Sequence, residues 1–366
     1  MITPSVNSMK ILDRYILRRF IMILGFALLT FLLIFIIVDL IGNLDKFIDK
    51  KVPKLIILEY YAFYIPFILV LVLPVAMLLA SLFSMGQMAR YNELTAIKSV
   101  GISLNIILLP LLIFSIFVSL SALIFGEKIV PPANQSRTNI KNEYMDSINK
   151  RIHTKITNIF LREKDNRRIF IGYYDSHDKT AHKVSVQKYN DNQIVERVDA
   201  PKMKWEDSTW VLLNGYRRSF SGVNEKASPF KILRDSSFDF NPEQLAESQK
   251  APEDMSYGEL ETFIREVIRN GGNPNRWLVD LHLKISIPFA NFIMVLFGAP
   301  LASNKKRSGA IVGFIVSLVI CFFYFGFVKF TQTLGHNGGL SPWLAAWLAN
   351  GFFLISGIIL LAFSHK

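Results

Sequence analysis

The feature that most constrains this sequence is a set of six uncharged apolar runs, each about as long as a membrane-spanning helix. A helix needs roughly 20 apolar residues to cross the ~30 Å hydrocarbon layer of a bilayer. The buried helices of a soluble protein are the alternative interpretation of any one run, but six such runs favour a multi-pass membrane protein. The runs cover residues 20–38, 60–89, 102–125, 285–304, 308–328 and 340–363.

A polar insert separates the first three runs from the last three. Residues 127–284 carry 26 Lys and Arg against 23 Asp and Glu, a balance typical of an ordinary globular domain. The other 208 residues carry 15 against 6, and most of this surplus lies in short segments beside the apolar runs. We therefore interpret the net charge of +12 as membrane anchoring and expect no nucleic-acid partner.

The distribution of Lys and Arg over the short loops predicts the orientation, because cytoplasmic loops are enriched in positive charge. Four lysines lie between the first two runs, at positions 46, 50, 51 and 54. Ten basic residues lie on the opposite side, which we therefore expect to be cytoplasmic together with both termini: Lys10, Arg14, Arg18, Arg19, Arg90, Lys98, Lys305, Lys306, Arg307 and Lys366. The insert follows three spans, so we expect residues 127–284 to be periplasmic in a bacterial inner-membrane protein.

Within the insert, short alternating segments separated by turn residues predict an all-β sandwich or jelly roll. Asp207 and Ser208 form one of these turn clusters. A helix is expected over about residues 257–270, because Ser256 and Glu259 have the spacing of a capping box and Gly271 and Gly272 end it. We thus predict spans 1–3 in residues 1–126, a β-domain in 127–255, a helix and linker in 256–284, and spans 4–6 in 285–366.

The sequence contains none of the common motifs of catalysis or nucleotide binding. A phosphate-binding P-loop, H-E-x-x-H, G-x-S-x-G and G-x-G-x-x-G are all absent. The single cysteine, Cys321, excludes an intrachain disulfide and a cysteine-based metal site. We therefore predict a non-catalytic chain without a metal centre or a cofactor of its own.

Two polar regions remain as candidate binding sites. Lysines near the end of the first run and basic residues after the third could hold an anionic ligand, although solvated loop charge explains each residue equally simply: Lys46, Lys50, Lys51, Arg137 and Lys141. Residues 90–101 have the pattern of a short amphipathic helix. Such a helix either turns the chain between two spans or docks on a partner.

In four segments, one of which overlaps residues 90–101, the chain resembles the lipopolysaccharide export permeases, the LptF/LptG family. The matching segments are residues 11–16, 93–101, 282–301 and 339–350, in the family's order within three helices, a β-domain and three helices. The opening Leu12-Asp13-Arg14-Tyr15 is more similar to the LptG branch than to LptF.

This resemblance implies a permease that extracts lipopolysaccharide from the inner membrane and passes it to a periplasmic bridge toward the outer membrane. It implies a heterodimer with an LptF-type permease, membrane-anchored jelly-roll proteins beyond it, and a cytoplasmic LptB-type ATPase dimer that uses ATP and Mg. Residues 90–101 become a coupling helix that meets this ATPase, and the outer basic group becomes the candidate lipid contact. The expected coupling residues are Arg90, Glu93, Leu94, Ile97 and Gly101.

Other functions fit the same topology. An ABC-type permease for another lipid or lipoprotein differs only in its cargo. A membrane scaffold or sensor with a ligand-binding β-domain is a different class, but its output module would have to fit in short inner loops. An enzyme acting on lipid carriers is disfavoured, because the spans lack polar catalytic groups.

Overall fold

In a computed structural model, the chain forms two compact units. The membrane unit comprises Met1–Lys141, Pro252–Glu261 and Asn275–Lys366, and the β unit comprises Asn142–Ala251 and Thr262–Pro274. The structure describes residues 6–145, 155–163, 166–175, 178–190, 193–221, 224–235, 237–238, 240–242, 252–269, 273–303 and 310–363.

Six long apolar helices form the membrane unit and confirm the six predicted spans. They are α1 (Val6–Asp49), α2 (Lys54–Arg90), α4 (Leu104–Lys128), α7 (Asn275–Ala302), α8 (Ala310–His336) and α9 (Pro342–Phe363). Two short helices follow α2 and α4, namely α3 (Glu93–Ser99) and α5 (Val130–Ile140). Helix α6 (Tyr257–Arg269) precedes α7.

Helix α7 lies at the centre of this unit, where it contacts α2, α4, α8 and α9. In the most apolar stretch of α7, 67% of the residues are buried, whereas only 11% are buried in the most apolar stretch of α1. A polar link joins three helices in this core. The Tyr324 hydroxyl donates to Oδ1 of Asn350 at 2.6 Å, and Nδ2 of Asn350 donates to the Ser286 carbonyl at 2.6 Å. These bonds satisfy polar atoms that would be costly to leave unpaired in a bilayer.

The division between the units lies later in the chain than residue 127, where we expected the inserted domain to begin. Helix α5 belongs to the membrane unit because it packs on α2. The side-chain amides of Asn134 and Gln135 also donate to the carbonyl oxygens of Glu253 and Asp254, at 3.4 and 2.8 Å. At the other boundary, residues 275–284 are not linker but the first turns of α7.

The β unit contains one antiparallel sheet of six described strands in the order β1-β2-β3-β4-β5-β6. The strands are β1 (Lys155–Arg162), β2 (Arg167–Asp175), β3 (Thr180–Asn190), β4 (Gln193–Glu206), β5 (Thr209–Ser221) and β6 (Asn224–Asp235). The predicted turn at Asp207 and Ser208 joins β4 to β5, and both residues have positive φ, as a two-residue hairpin turn requires. The inserted β-domain is therefore confirmed. Its described strand order is that of a meander, and the jelly-roll form stays a prediction.

The sheet curls around its apolar core, because strands distant in the sheet order meet. Tyr174 on β2 packs edge-to-face on Trp210 of β5, with ring centroids 6.2 Å apart. Arg167 on β2 forms an ion pair with Asp235 at the end of β6. The indole of Trp210 also donates to the Phe240 carbonyl at 2.9 Å. The core is thus enclosed by both halves of a single sheet.

The capping box predicted for α6 is present. The backbone N–H of Ser256 donates to the Glu259 carboxylate at 2.8 Å, and the backbone N–H of Glu259 donates to the Ser256 hydroxyl at 3.3 Å. Two orphan donors of the first turn are satisfied in this way. The glycines expected to end this helix, Gly271 and Gly272, lie outside the described residues.

Candidate functional sites at the two ends of the helix bundle

The segment between α2 and α4 contains a shorter helix than the sequence suggested. We expected a helix over residues 90–101, but α3 has seven residues and Arg90 is the last residue of α2. Gly101 follows the helix with φ of 90°, a conformation that side chains other than glycine rarely adopt. The chain turns there into α4.

The apolar side of α3 packs against its own bundle. Leu94 is only 2% exposed and belongs to the core of the membrane unit, and Ile97 packs against that core. The docking stripe that the amphipathic pattern suggested is therefore covered by this chain itself. The large apolar side chains exposed on this segment are those that flank α3, with Tyr91 64% and Val100 71% exposed.

Glu93, at the first turn of α3, is held by two residues of α1. Nη1 of Arg19 donates to both carboxylate oxygens, at 3.1 and 3.0 Å, and the Tyr15 hydroxyl donates to Oε2 at 3.0 Å. The ion pair is partly shielded, because the side chains of Arg19 and Glu93 are 16% and 30% exposed. Among the expected coupling residues, Glu93 thus joins α3 to α1 by hydrogen bonds, whereas Leu94 and Ile97 join it to the bundle by apolar packing.

Arg19 also reaches α2. Its Nε and Nη2 donate to Oε1 of Gln87 at 3.2 and 2.9 Å. One guanidinium therefore bonds to side chains of α2 and α3 at once. We predicted only a topological role for Arg19. The sequence offered one signal for this role, namely the spacing of Tyr15 and Arg19, which puts both on one side of α1. Each is followed by an apolar residue, Ile16 or Phe20, that is fully buried in the structure.

At the opposite end of α2, Arg137 of α5 lies over an aromatic cluster. Its guanidinium carbon is 4.1 Å from the centroid of Tyr64, and 5.8 and 5.9 Å from those of Tyr60 and Phe67. Stacking of this kind favours arginine over lysine because the guanidinium is planar. Nη1 of Arg137 is buried and has no hydrogen-bond partner among the described residues.

The end of α1 contacts the same aromatic cluster through Phe47. Phe47, which follows Lys46, packs on Tyr60 and Tyr61 at centroid distances of 6.1 and 6.3 Å. Lys46 is thus next in sequence to Phe47, which contacts Tyr60, and the guanidinium of Arg137 also lies over the Tyr60 ring.

The remaining basic candidates border this end less directly. Lys50 and the exposed Lys51 follow α1, and Lys141 comes one turn after Arg137. Sequence reasoning named the charges but missed the rings. It noted Asp39 only as an acid near the end of the first run, and in the structure the Asp39 carboxylate accepts a hydrogen bond from the Tyr61 hydroxyl at 3.1 Å.

The part of the chain that the structure describes contains no group of three or more His, Cys, Asp or Glu side chains able to hold a metal ion. Among these residues the two bundle ends therefore show ion pairing and cation–π stacking, with no donor set for a metal.

A comparison with protein families decides the identity. The model of the family described as lipopolysaccharide export system permease LptF/LptG matches residues 14–362. The chain belongs to this family. The match covers both candidate sites, since Arg19, Glu93 and Arg137 all lie inside it. The search of curated proteins finds no significant match.

This LptF/LptG permease is accordingly a transport component of lipopolysaccharide export and a multi-pass inner-membrane protein with an inserted β-domain. The family model covers both branches, so the closer similarity to LptG stays a prediction. The coupling and lipid-contact roles of the named residues also stay predictions.

Proposed function

We propose that this chain is a permease subunit that takes lipopolysaccharide from the inner membrane and passes it through its β-domain toward a periplasmic bridge. A second permease of the family completes the membrane part, and a cytoplasmic ATPase dimer supplies the energy from ATP and Mg. The observation that carries this proposal is the family match over nearly the whole chain, together with six spans interrupted by a β unit.

The proposed orientation rests on the number of spans and on the charges of the short loops. Three spans separate the N-terminus from the inserted domain, and two separate it from residues 91–103, so the α3 segment and the insert face opposite sides. The excess of basic residues beside α3 supports a cytoplasmic location for that segment and for both termini. Residues 127–284 are then periplasmic or line the periplasmic surface.

The α3 segment is the proposed contact for the ATPase. Because Leu94 is buried, the contact is made by the exposed residues Tyr91 and Val100 and by the exposed side of Glu93. Movement of the ATPase then acts on a helix that is joined to α1 by hydrogen bonds from Arg19, whose guanidinium also bonds to α2.

The basic end of the bundle is the proposed contact for the lipid's phosphates and acidic sugars. Arginine binds such anions through paired N–H groups. Two observations support Arg137 as the central residue: its guanidinium is oriented by three aromatic rings, and one of its nitrogens has no partner among the described residues.

Photocrosslinking in living cells tests the proposed lipid contact. With a photoreactive residue at Lys50, we expect a lipopolysaccharide adduct that is much stronger than the adduct formed at Leu33, an exposed position in the middle of α1. Adding Arg137→Ala should reduce the Lys50 adduct about tenfold, since a charge-assisted bond contributes about 1.5–3 kcal/mol. Arg137→Lys should retain part of it.

Three outcomes would contradict the proposal. Labelling at Lys50 no stronger than at Leu33 would remove the lipid contact, and labelling unaffected by Arg137→Ala would remove the role of Arg137. An adduct that contains a different lipid would show that the cargo is not lipopolysaccharide.

A further inference from the structure

Arg19 bonds to residues of three helices, and the proposed function gives its side chain no role of its own. It lies on the opposite end of the bundle from the proposed lipid contact. All three of its guanidinium nitrogens donate hydrogen bonds, Nη1 to Glu93 and Tyr15, and Nε and Nη2 to Gln87. The neighbouring Arg18 on the same helix is exposed.

We propose that Arg19 is a positioning residue that locks α3 to α1 and α2 and thereby transmits displacement of α3 to the first span. This inference rests on the proposed function in one respect, namely that α3 receives the movement of an ATPase. The lock itself is a property of this chain alone.

The chemistry of the lock requires arginine. Gln87 and Glu93 are on different helices, and a planar fork can donate to both at once because its N–H groups point in fixed, separate directions. A lysine at position 19 would keep the charge, but its three N–H groups share one nitrogen, which cannot replace the bonds that Nε, Nη1 and Nη2 of arginine make in different directions.

Glu93 remains able to bind a partner while the lock is closed. Each carboxylate oxygen has two lone-pair directions, and Arg19 and Tyr15 occupy three of the four. Because the Glu93 side chain is 30% exposed, a donor of the ATPase can reach the remaining one. The same carboxylate can therefore connect the partner to α1.

Helix α1 is suited to respond. It is the least buried of the six described spans, so fewer contacts oppose its movement. The part of α1 around Arg19 is nevertheless anchored, since Ile16 and Phe20 are fully buried. The Phe20 ring packs edge-to-face on Phe114 of α4, with ring centroids 5.9 Å apart. The lock thus acts on the anchored part of a helix whose remainder is exposed.

Spin labelling tests the lock independently of transport. A label at Thr95→Cys reports the mobility of α3 from an exposed position, and the chain's only other thiol, Cys321, is buried. In the complete complex we expect Arg19→Lys to narrow the lines of the label's electron paramagnetic resonance spectrum, because α3 becomes more mobile. Arg18→Lys, the matched control, should leave the spectrum unchanged. Equal spectra for both variants would overturn the proposal.

Lipid released per ATP hydrolysed, measured in vesicles containing the complete complex, tests the transmission. We expect Arg19→Lys to lower this ratio about fivefold or more, the range of an ordinary coupling energy, while the complex is recovered and ATP hydrolysis continues. Tyr15→Phe, which removes one bond to Glu93, should give a smaller decrease. Arg18→Lys should behave as the unsubstituted protein.

An unchanged ratio in Arg19→Lys would overturn the proposal, and so would loss of the complex in that variant, which would make Arg19 an assembly residue. If the unsubstituted chain binds no ATPase, the proposed function fails. The spin-label comparison, repeated on the chain alone, would still decide whether Arg19 holds α3.

Discussion

Asp235, at the end of β6, illustrates how a single carboxylate can close the curled sheet. Burial alone would raise its pKa, but hydrogen bonds from the side chain and backbone of Ser237, and from Arg167, outweigh burial and lower the pKa below its usual value of 3.8. Nη2 of Arg167 donates to Oδ2 at 2.6 Å, and the Ser237 backbone N–H donates to Oδ1 at 2.9 Å. The ionised form is therefore the one that the fold stabilises.

We expect Asp235→Asn to destabilise the β unit by about 1–2 kcal/mol, because a charged acceptor becomes a neutral one. The folded pKa lies below the unfolded value, so ionised Asp235 contributes stability above about pH 4 and loses it as the pH falls through the folded pKa. Hydrogen exchange of β2 and β6 amides in the full chain, corrected for intrinsic rates, measures both effects.

Asp207→Asn is the control for this experiment, since Asp207 lies exposed in a turn where Asn tolerates positive φ. Exchange in β6 that does not differ between Asp235→Asn and Asp207→Asn would contradict the stabilising role of Asp235.

At the level of single residues, local patterns were predictable and distant partners were not. The capping box of Ser256 and Glu259 depends on residues three apart, so its spacing is visible in the sequence. Arg19 and Glu93 are separated by 74 positions. Their charges are apparent in the sequence, but the pairing depends on how α1 packs beside α2.

Among the helices, the close approach of α2 and α7 depends on one glycine. A Cβ atom built on Gly298 would overlap the Ser81 hydroxyl and would lie 2.7 Å from Cδ1 of Leu78. The two helices can therefore pack at this distance only without a side chain at position 298. Small residues at helix contacts have this effect in membrane proteins generally.

We expect Gly298→Ala to destabilise the membrane unit by about 1–3 kcal/mol, the usual cost of overpacking. The measurement is the midpoint of thermal unfolding of the purified full chain in detergent. Gly326→Ala is the matched control, because a Cβ on Gly326 has no neighbour within 4 Å among the described residues. A Gly298→Ala midpoint equal to that of the control would contradict the close contact.

The helices also show where periodicity misleads. The spacing of Leu94 and Ile97 correctly predicts one apolar face on α3, but the sequence leaves open whether that face meets a partner or the chain's own bundle. The structure places it on the bundle because Leu94 lies within the core shared by the spans. The apolar face of α3 thus contributes to the core of the bundle. The exposed large apolar residues of this segment are the flanking Tyr91 and Val100.

For the whole molecule, the proposed topology requires the α3 segment and the inserted residues to lie on opposite sides of the membrane, because one span, α4, lies between them in the sequence. This requirement holds for either orientation of the chain. The loop charges predict which side is cytoplasmic, and that orientation stays a prediction. The position of the unit boundaries was not predictable from the sequence, since α5 joins the membrane unit through contacts to α2 and to residues 253–254.

We expect a membrane-impermeant thiol reagent to label Ser219→Cys in intact spheroplasts, and to label Thr95→Cys only after the membrane is opened. Both positions are exposed, and the unsubstituted chain, with its buried Cys321, serves as the control for background labelling. Labelling of both positions from the same side would contradict the topology.

The assignment of α5 to the membrane unit has a practical consequence for work on the β unit in isolation. A fragment that begins at residue 127 would carry α5 without α2, and its buried residues Val130, Pro131 and Ala133 would face water. Such a fragment would expose an apolar face and be prone to self-association. A fragment that begins at Asn142 leaves that helix behind, so we expect it to be less prone to self-association than the fragment that begins at residue 127.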